Sequence, residues 1–141
     1  PKALPKLLNA MKDQDAAIRY WGAVGIGNIG KPAKSAAKQM RAALKDESAV
    51  VRIAAARALC RLDMPKAALP VLARELDKGE QWERLHAAIV LDQIDEMARP
   101  VIGEMHAQLK PREKLYAKGK YTVRVLNRAL NQLEGTSRKV P

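Results

Sequence analysis

A proline-marked apolar segment, an acidic turn and a second apolar run opened by arginine recur four times along this chain. That repetition constrains the fold more than any other feature. The first copy holds Pro5, Asp13 and Arg19, the second Asp46 and Arg52, the third Pro70, Asp77 and Arg84, the fourth Pro100 and Arg124. The four arginines lie 33, 32 and 40 residues apart. Self-similarity at this period marks stacked two-helix units, none of which buries its apolar face alone. The expected fold is therefore all-α, an α-solenoid of about four helical pairs. A single array over 1–134 divides near 1–30, 31–63, 64–95 and 96–134, and 135–141 reads as a flexible tail.

Within that frame the helices follow from apolar spacing and its breakers. Leu4, Leu7, Leu8 and Met11 give a helix over 2–12, and Asp13 and Asp15 break it and offer a cap for the next. Further helices are expected over 16–29, 33–45, 48–62, 66–78, 81–94, 98–109 and 121–133. The second helix of each pair is the more apolar and should be sandwiched between neighbours. Pro111 to Lys120 inserts a basic stretch into the fourth copy, which reads as a modified terminal cap.

Of the 141 residues 48% are apolar, yet there is no Phe and aromatics make up only 4%. Small aliphatic side chains must fill the interior, which suits closely packed helices. The net charge of +11 favours polyanionic partners. Cys60 is the only cysteine, so no disulfide forms within the chain. No apolar run is long enough to span a bilayer. The first residue is not Met and the chain opens inside a helical pattern, so it is expected to be a piece of a longer protein.

Proline in a first helix, Asp eight residues on and Arg six beyond that, as in Pro5, Asp13 and Arg19, resembles the HEAT-repeat signature. Pro70 and Arg84 keep the total spacing, and Asp46 and Arg52 keep the latter part. The runs 17–24 (AIRYWGAV), 45–56 (KDESAVVRIAAA) and 121–130 (YTVRVLNRAL) resemble more narrowly the segments that follow the catalytic domain in some secreted bacterial sulfatases. That resemblance implies a non-catalytic accessory segment, periplasmic or secreted, with the parent's catalytic domain or a sulfated glycan as partner. The sulfatase signature itself, Cys or Ser, any residue, Pro, a small residue and Arg, has no match: Cys60 is followed by Arg61, Leu62 and Asp63.

The arginine ladder Arg19, Arg52, Arg84 and Arg124 is expected to be structural. Each arginine can reach a neighbouring turn aspartate, for example Arg52 with Asp13 or Arg84 with Asp46, and so set the register between repeats. Lys34, Lys38, Arg41 and Lys45, spaced four, three and four apart, share one helix face and are candidate anion-binding residues, as are Lys114, Lys118, Lys120 and Arg128 in the basic stretch. Like charges at these spacings repel, a cost that points to a partner as well as to a solvated face. A nucleic-acid-binding array is the alternative function.

The remaining chemistry-bearing residues carry no catalytic or cofactor expectation. Gly25, Gly27 and Gly30 fit G-x-G-x-x-G but close an apolar helix instead of opening one after a strand, so close packing and a C-terminal cap are expected. His86, His106 and Cys60 lack metal-ligand spacing. Asp92, Asp95 and Glu96 end a helix without a basic or hydroxyl partner that suggests acid–base work. Trp21 and Trp82 are expected in the core or between repeats.

Overall fold

Two acidic turns decide where the second helix of each of the first two pairs begins. In the computed structural model, which describes residues 2–109 and 119–139, Asp13 Oδ1 accepts the backbone N–H of Asp15 at 2.8 Å. Asp46 Oδ1 accepts that of Ser48 at 2.9 Å. Each is an Asx turn, in which a short carboxylate stands in for a backbone acceptor. Asp15 then caps the next helix by accepting from the Ala17 N–H at 2.8 Å.

The chain forms two compact units, residues 1–71 and 72–141. The first contains α1 (Leu4–Ala10), α2 (Ala16–Ile29), a 3₁₀ segment (Lys31–Ala36) leading into α3 (Ala37–Ala43), and α4 (Ala49–Arg61). It closes with the start of α5 (Pro65–Lys78). α2 packs against both α1 and α4. Ala23, Ile26, Ala36, Met40, Val51, Ala55 and Leu59 fill the space between the helices. The second unit holds the rest of α5, α6 (Gln81–Gln93), a 3₁₀ segment (Asp95–Val101), α7 (Ile102–Ala107) and α8 (Lys120–Glu134). Its interior is Leu72, Leu76, Ala88, Leu91, Met105, Leu126 and Leu130, with α8 packed on α6 and α7. The fold is all-α, and no strand occurs among the described residues.

Two first helices start differently from the expected continuous helices over 33–45 and 98–109. Both begin as 3₁₀ turns, and each carries a proline, Pro32 or Pro100. Proline lacks the N–H that an α-helix interior uses, and its ring crowds the carbonyl four residues back. The residue after each proline leaves the helical region, Ala33 at φ −93°, ψ 20° and Val101 at φ −112°, ψ 19°. Pro5 sits in the first turn of α1, where a missing N–H is harmless.

The segment expected as a tail is bonded back onto α8 as far as it is described. Asn131 Nδ2 donates to the Arg138 carbonyl at 2.9 Å, and Asn131 Oδ1 accepts the Arg138 N–H at 2.8 Å. Gly135 makes this reversal possible with φ 63°.

Candidate interaction surface

Arg19, Arg52 and Arg84 each stand fourth in their helix, α2, α4 and α6. From that position Arg19 Nη1 reaches back to the carbonyls of Asp13 and Gln14 at 3.0 and 2.8 Å. Arg52 Nη1 does the same to Asp46 and Glu47 at 2.8 and 3.0 Å. Arg19 also crosses to the next turn, where Nε and Nη2 meet the two Asp46 carboxylate oxygens at 2.8 and 2.9 Å. The expected link between these turns was Arg52 to Asp13; the observed one runs in the opposite direction. The Arg19 guanidinium thus bridges two turns, holding the carbonyls of the preceding one through Nη1 and the carboxylate of the following one through Nε and Nη2.

The pair is well shielded, with side-chain exposures of 10% and 12%. Burial pushes the Asp46 carboxyl upward. The Arg19 hydrogen bond, the Ser48 N–H and the charges of Arg19 and Arg52 outweigh that and hold it below the usual carboxylate range. The same hydrogen bond raises Arg19. Arg84 is less well placed: its Nε is buried without a hydrogen-bond partner among the described residues. Arg124 lies over the Tyr121 ring, 5.9 Å from its centroid.

A second set of ties joins consecutive second helices. Arg57 Nη1 donates to Asn28 Oδ1 at 3.2 Å and Arg61 Nε to the Gly27 carbonyl at 2.8 Å, from α4 to α2. In the second unit Arg128 Nε donates to Asp92 Oδ1 at 3.2 Å and its Nη2 to Oδ2, while Gln132 Nε2 donates to Asp95 at 2.8 Å. Two expectations change here. Asp92 does have a basic partner, supplied by α8 from 36 residues away. Arg128, expected to bind anions, spends its guanidinium on that buried carboxylate. Glu96 is held by Arg99 at 2.7 Å.

The first helices of the first unit carry the unmatched charge. Lys34, Lys38, Arg41 and Lys45 are all exposed, Lys34 on the 3₁₀ segment and the others on α3 and its end. Gln39 Nε2 donates to the Leu8 carbonyl at 2.9 Å and so draws α1 alongside. Lys2, Lys6 and Lys12 of that neighbouring stretch are exposed as well. No acidic residue occurs in 2–12 or 31–45; every carboxylate of the first unit is in a turn. Asp63 reaches Lys31 at 3.2 Å. It also lines an open recess of about 530 Å³ beside Arg41, Met64 and Lys66. Lys120 is half-buried at the start of α8. Lys114 and Lys118 lie outside the described residues.

Trp21 and Trp82 correct another expectation. They are 65% and 66% exposed, on α2 and α6, not buried between repeats. Trp21 meets Tyr20 edge-on, with ring centroids 5.1 Å apart. The glycine motif lies at the end of α2: a Cβ on Gly27 would sit 3.1 Å from the Ala58 Cα, and Gly30 is the C-cap. Burial pushes the Cys60 thiol up to about 12. His106 Nε2 pairs with Glu134 at 2.8 Å. Among the described residues no three His, Cys, Asp or Glu side chains group as metal ligands, and no helix is long and apolar enough to cross a membrane.

A family model described as HEAT repeats matches residues 1–98, more than half of the chain. No curated protein and no solved structure matches it significantly.

Proposed function

The chain belongs to the HEAT-repeat family, and on that premise we propose that it is a non-catalytic interaction module whose outer helices hold a sulfated polysaccharide. One observation carries the reading. Lys34, Lys38, Arg41 and Lys45 are all exposed, as are Lys2, Lys6 and Lys12, and neither 2–12 nor 31–45 contains a carboxylate. Such a row costs self-repulsion, which a polyanion relieves. The three runs that resemble the segments after a sulfatase catalytic domain favour an accessory role beside such a domain, in the periplasm or outside the cell. The parent's catalytic domain is then a protein partner.

The same cations would also suit a nucleic-acid backbone. The stretch 31–45 that carries Lys34, Lys38, Arg41 and Lys45 contains no aromatic residue, so it offers a single strand no stacking platform of its own. Binding of fluorescent heparin and of duplex DNA, titrated against salt, tests the choice. The reading expects tighter binding of heparin, lost when Lys34, Lys38, Arg41 and Lys45 are all changed to Gln. Equal binding by that variant removes the row from any role, and a preference for DNA favours the second reading.

A further inference from the structure

Among the described residues, Arg41 is the one arginine of the first unit that has no oxygen partner. Residues 1–71 hold five arginines. Four of them donate to oxygen: Arg19 to Asp46, Arg52 to the Asp46 and Glu47 carbonyls, Arg57 to Asn28 and Arg61 to the Gly27 carbonyl. Arg41 donates only to the Met64 sulfur, Nη2 to Sδ at 3.6 Å. A thioether is a weak acceptor, so the guanidinium keeps most of its capacity to pair with an anion. This contact joins two residues that line the open recess of about 530 Å³, together with Asp63, Pro65, Lys66 and Ala67.

The recess combines three kinds of chemistry. Arg41 and Lys66 bring positive charge. Asp63 brings a carboxylate whose Oδ2 meets Lys31 at 3.2 Å and whose Oδ1 has no partner among the described residues. Met64, Pro65 and Ala67 bring apolar surface. A sulfate pairs with the first, a sugar hydroxyl donates to the second, and the C–H face of a sugar ring lies on the third. The volume falls within the roughly 300–1,000 Å³ of small-ligand sites. The wall at 63–65 is fixed by the fold. Asp63 turns the chain with φ 67°, its N–H donates to the Cys60 carbonyl at 2.9 Å, and the Met64 N–H donates to the Leu59 carbonyl at 2.9 Å. Pro65 then locks the next φ. Such preorganisation lowers the ordering cost of binding.

We propose that this recess seats one sulfated sugar ring, with the sulfate on Arg41 and Lys66, a hydroxyl donating to Asp63 and the C–H face on Met64 and Pro65. The proposal rests on the polysaccharide reading and adds a subsite to it, since Arg41 belongs both to the cationic row and to the recess. The row responds to charge, whereas the recess responds to the sugar that carries it. An unsulfated ring lacks the ionic anchor, and a free sulfate lacks the apolar and hydroxyl contacts.

Heteronuclear NMR of the full chain, titrated with N-acetylglucosamine sulfated on its primary hydroxyl up to about 10 mM, tests it. Shifts should saturate with a dissociation constant of about 1 mM and centre on 63–67 and the Arg41 side chain. Unsulfated N-acetylglucosamine and inorganic sulfate should each bind at least about tenfold more weakly. Ala67→Trp, at an exposed position, fills the recess without changing charge and should weaken the sugar at least about tenfold. Lys66→Gln should weaken it too, which keeps the test decisive should circular dichroism show that the first variant has lost helix. No saturation, shifts spread along 34–45 instead, equal binding of inorganic sulfate, or parent-like binding by both variants overturns the proposal. Any of these alongside heparin binding that still depends on the row removes the recess and leaves the row. Heparin binding indifferent to the four Gln changes removes the row instead.

Discussion

Gly30 and Asp63 stand 33 residues apart and turn the chain with nearly the same positive φ, 70° and 67°. Asp95, a further 32 residues on, has φ 47°. Each follows a second helix and starts the chain towards the next first helix, so the junction between pairs demands a residue that accepts this conformation. Aspartate tolerates it when its side chain bonds locally, and glycine does so without a steric penalty. Gly30 also has ψ −145°, a combination open essentially to glycine alone. A Cβ there would meet the Arg61 carbonyl only at 3.6 Å, so the penalty is torsional and not a clash. Gly30→Ala should cost about 1–3 kcal/mol in urea unfolding. Asp63→Gly should stay within about 0.5 kcal/mol of the parent.

Two glycines inside α2 should respond differently to alanine. A Cβ on Gly27 would press on the Ala58 backbone at 3.1 Å, which only a shift of α4 can relieve. On Gly25 it would meet the movable end of Leu7 at 2.5 Å. Alanine gains about 1 kcal/mol of helix propensity over glycine at either place. Gly27→Ala should nevertheless destabilise by about 1–3 kcal/mol through overpacking. Gly25→Ala should be close to neutral. The two denaturation midpoints, measured side by side, check this.

Helix positions were largely legible because apolar spacing and turn residues are local signals: α2 spans Ala16–Ile29 as its pattern implies. The proline-started 3₁₀ segments were not, because the pattern does not register a change from four-residue to three-residue hydrogen bonding. The period showed that Arg19 and Asp46 belong to neighbouring turns but not which arginine leans towards which aspartate. That is a property of helix tilt. Arg128 read as an anion-binding candidate because Asp92, to which it bonds, lies on another helix. Trp21 and Trp82 read as core because hydrophobicity alone does not reveal which face of a helix is left exposed. The cations of 34–45 were visible from spacing alone, whereas the bond from Gln39 to the Leu8 carbonyl, which ties α3 to α1, has no local signal.

The tie between Arg19 and Asp46 should give stability a defined pH dependence. A carboxyl whose folded pKa lies below its unfolded value binds fewer protons when folded. Its stabilisation is complete above the unfolded value, about 3.9 for Asp, and fades as pH falls through the lower folded value. Asp46 is shifted in that direction. Asp46→Ala should cost about 2 kcal/mol at neutral pH, the scale of a hydrogen bond to a charged group. The difference from the parent should shrink below about pH 4. A difference unchanged down to pH 2 would show that the Asp46 carboxylate contributes nothing through its charge.

The Cys60 thiol, buried at 1% exposure and pushed up to about 12, should be inert in the folded chain. The thiolate is the reactive form and is scarce at neutral pH under those conditions. Labelling by a disulfide reagent should proceed only as fast as the second repeat opens. It should accelerate in parallel with urea unfolding.

Neutralising the cationic row should move stability and binding in opposite directions. Lys34 and Lys38, and Arg41 and Lys45, are four apart in sequence, and Lys38 and Arg41, both within α3, are three apart, so like charges crowd this stretch. Such pairs cost about 0.2–0.5 kcal/mol each at low salt. The variant with all four changed to Gln should therefore unfold at slightly higher urea concentration than the parent. The gain should vanish in about 1 M salt, where screening reaches only about 3 Å. Its heparin affinity should fall over the same salt range in which the parent's is strongest. If the row is only a solvated face, the stability gain remains and the affinity is unchanged, so measuring both on one preparation separates a surface kept for a partner from one that merely faces water.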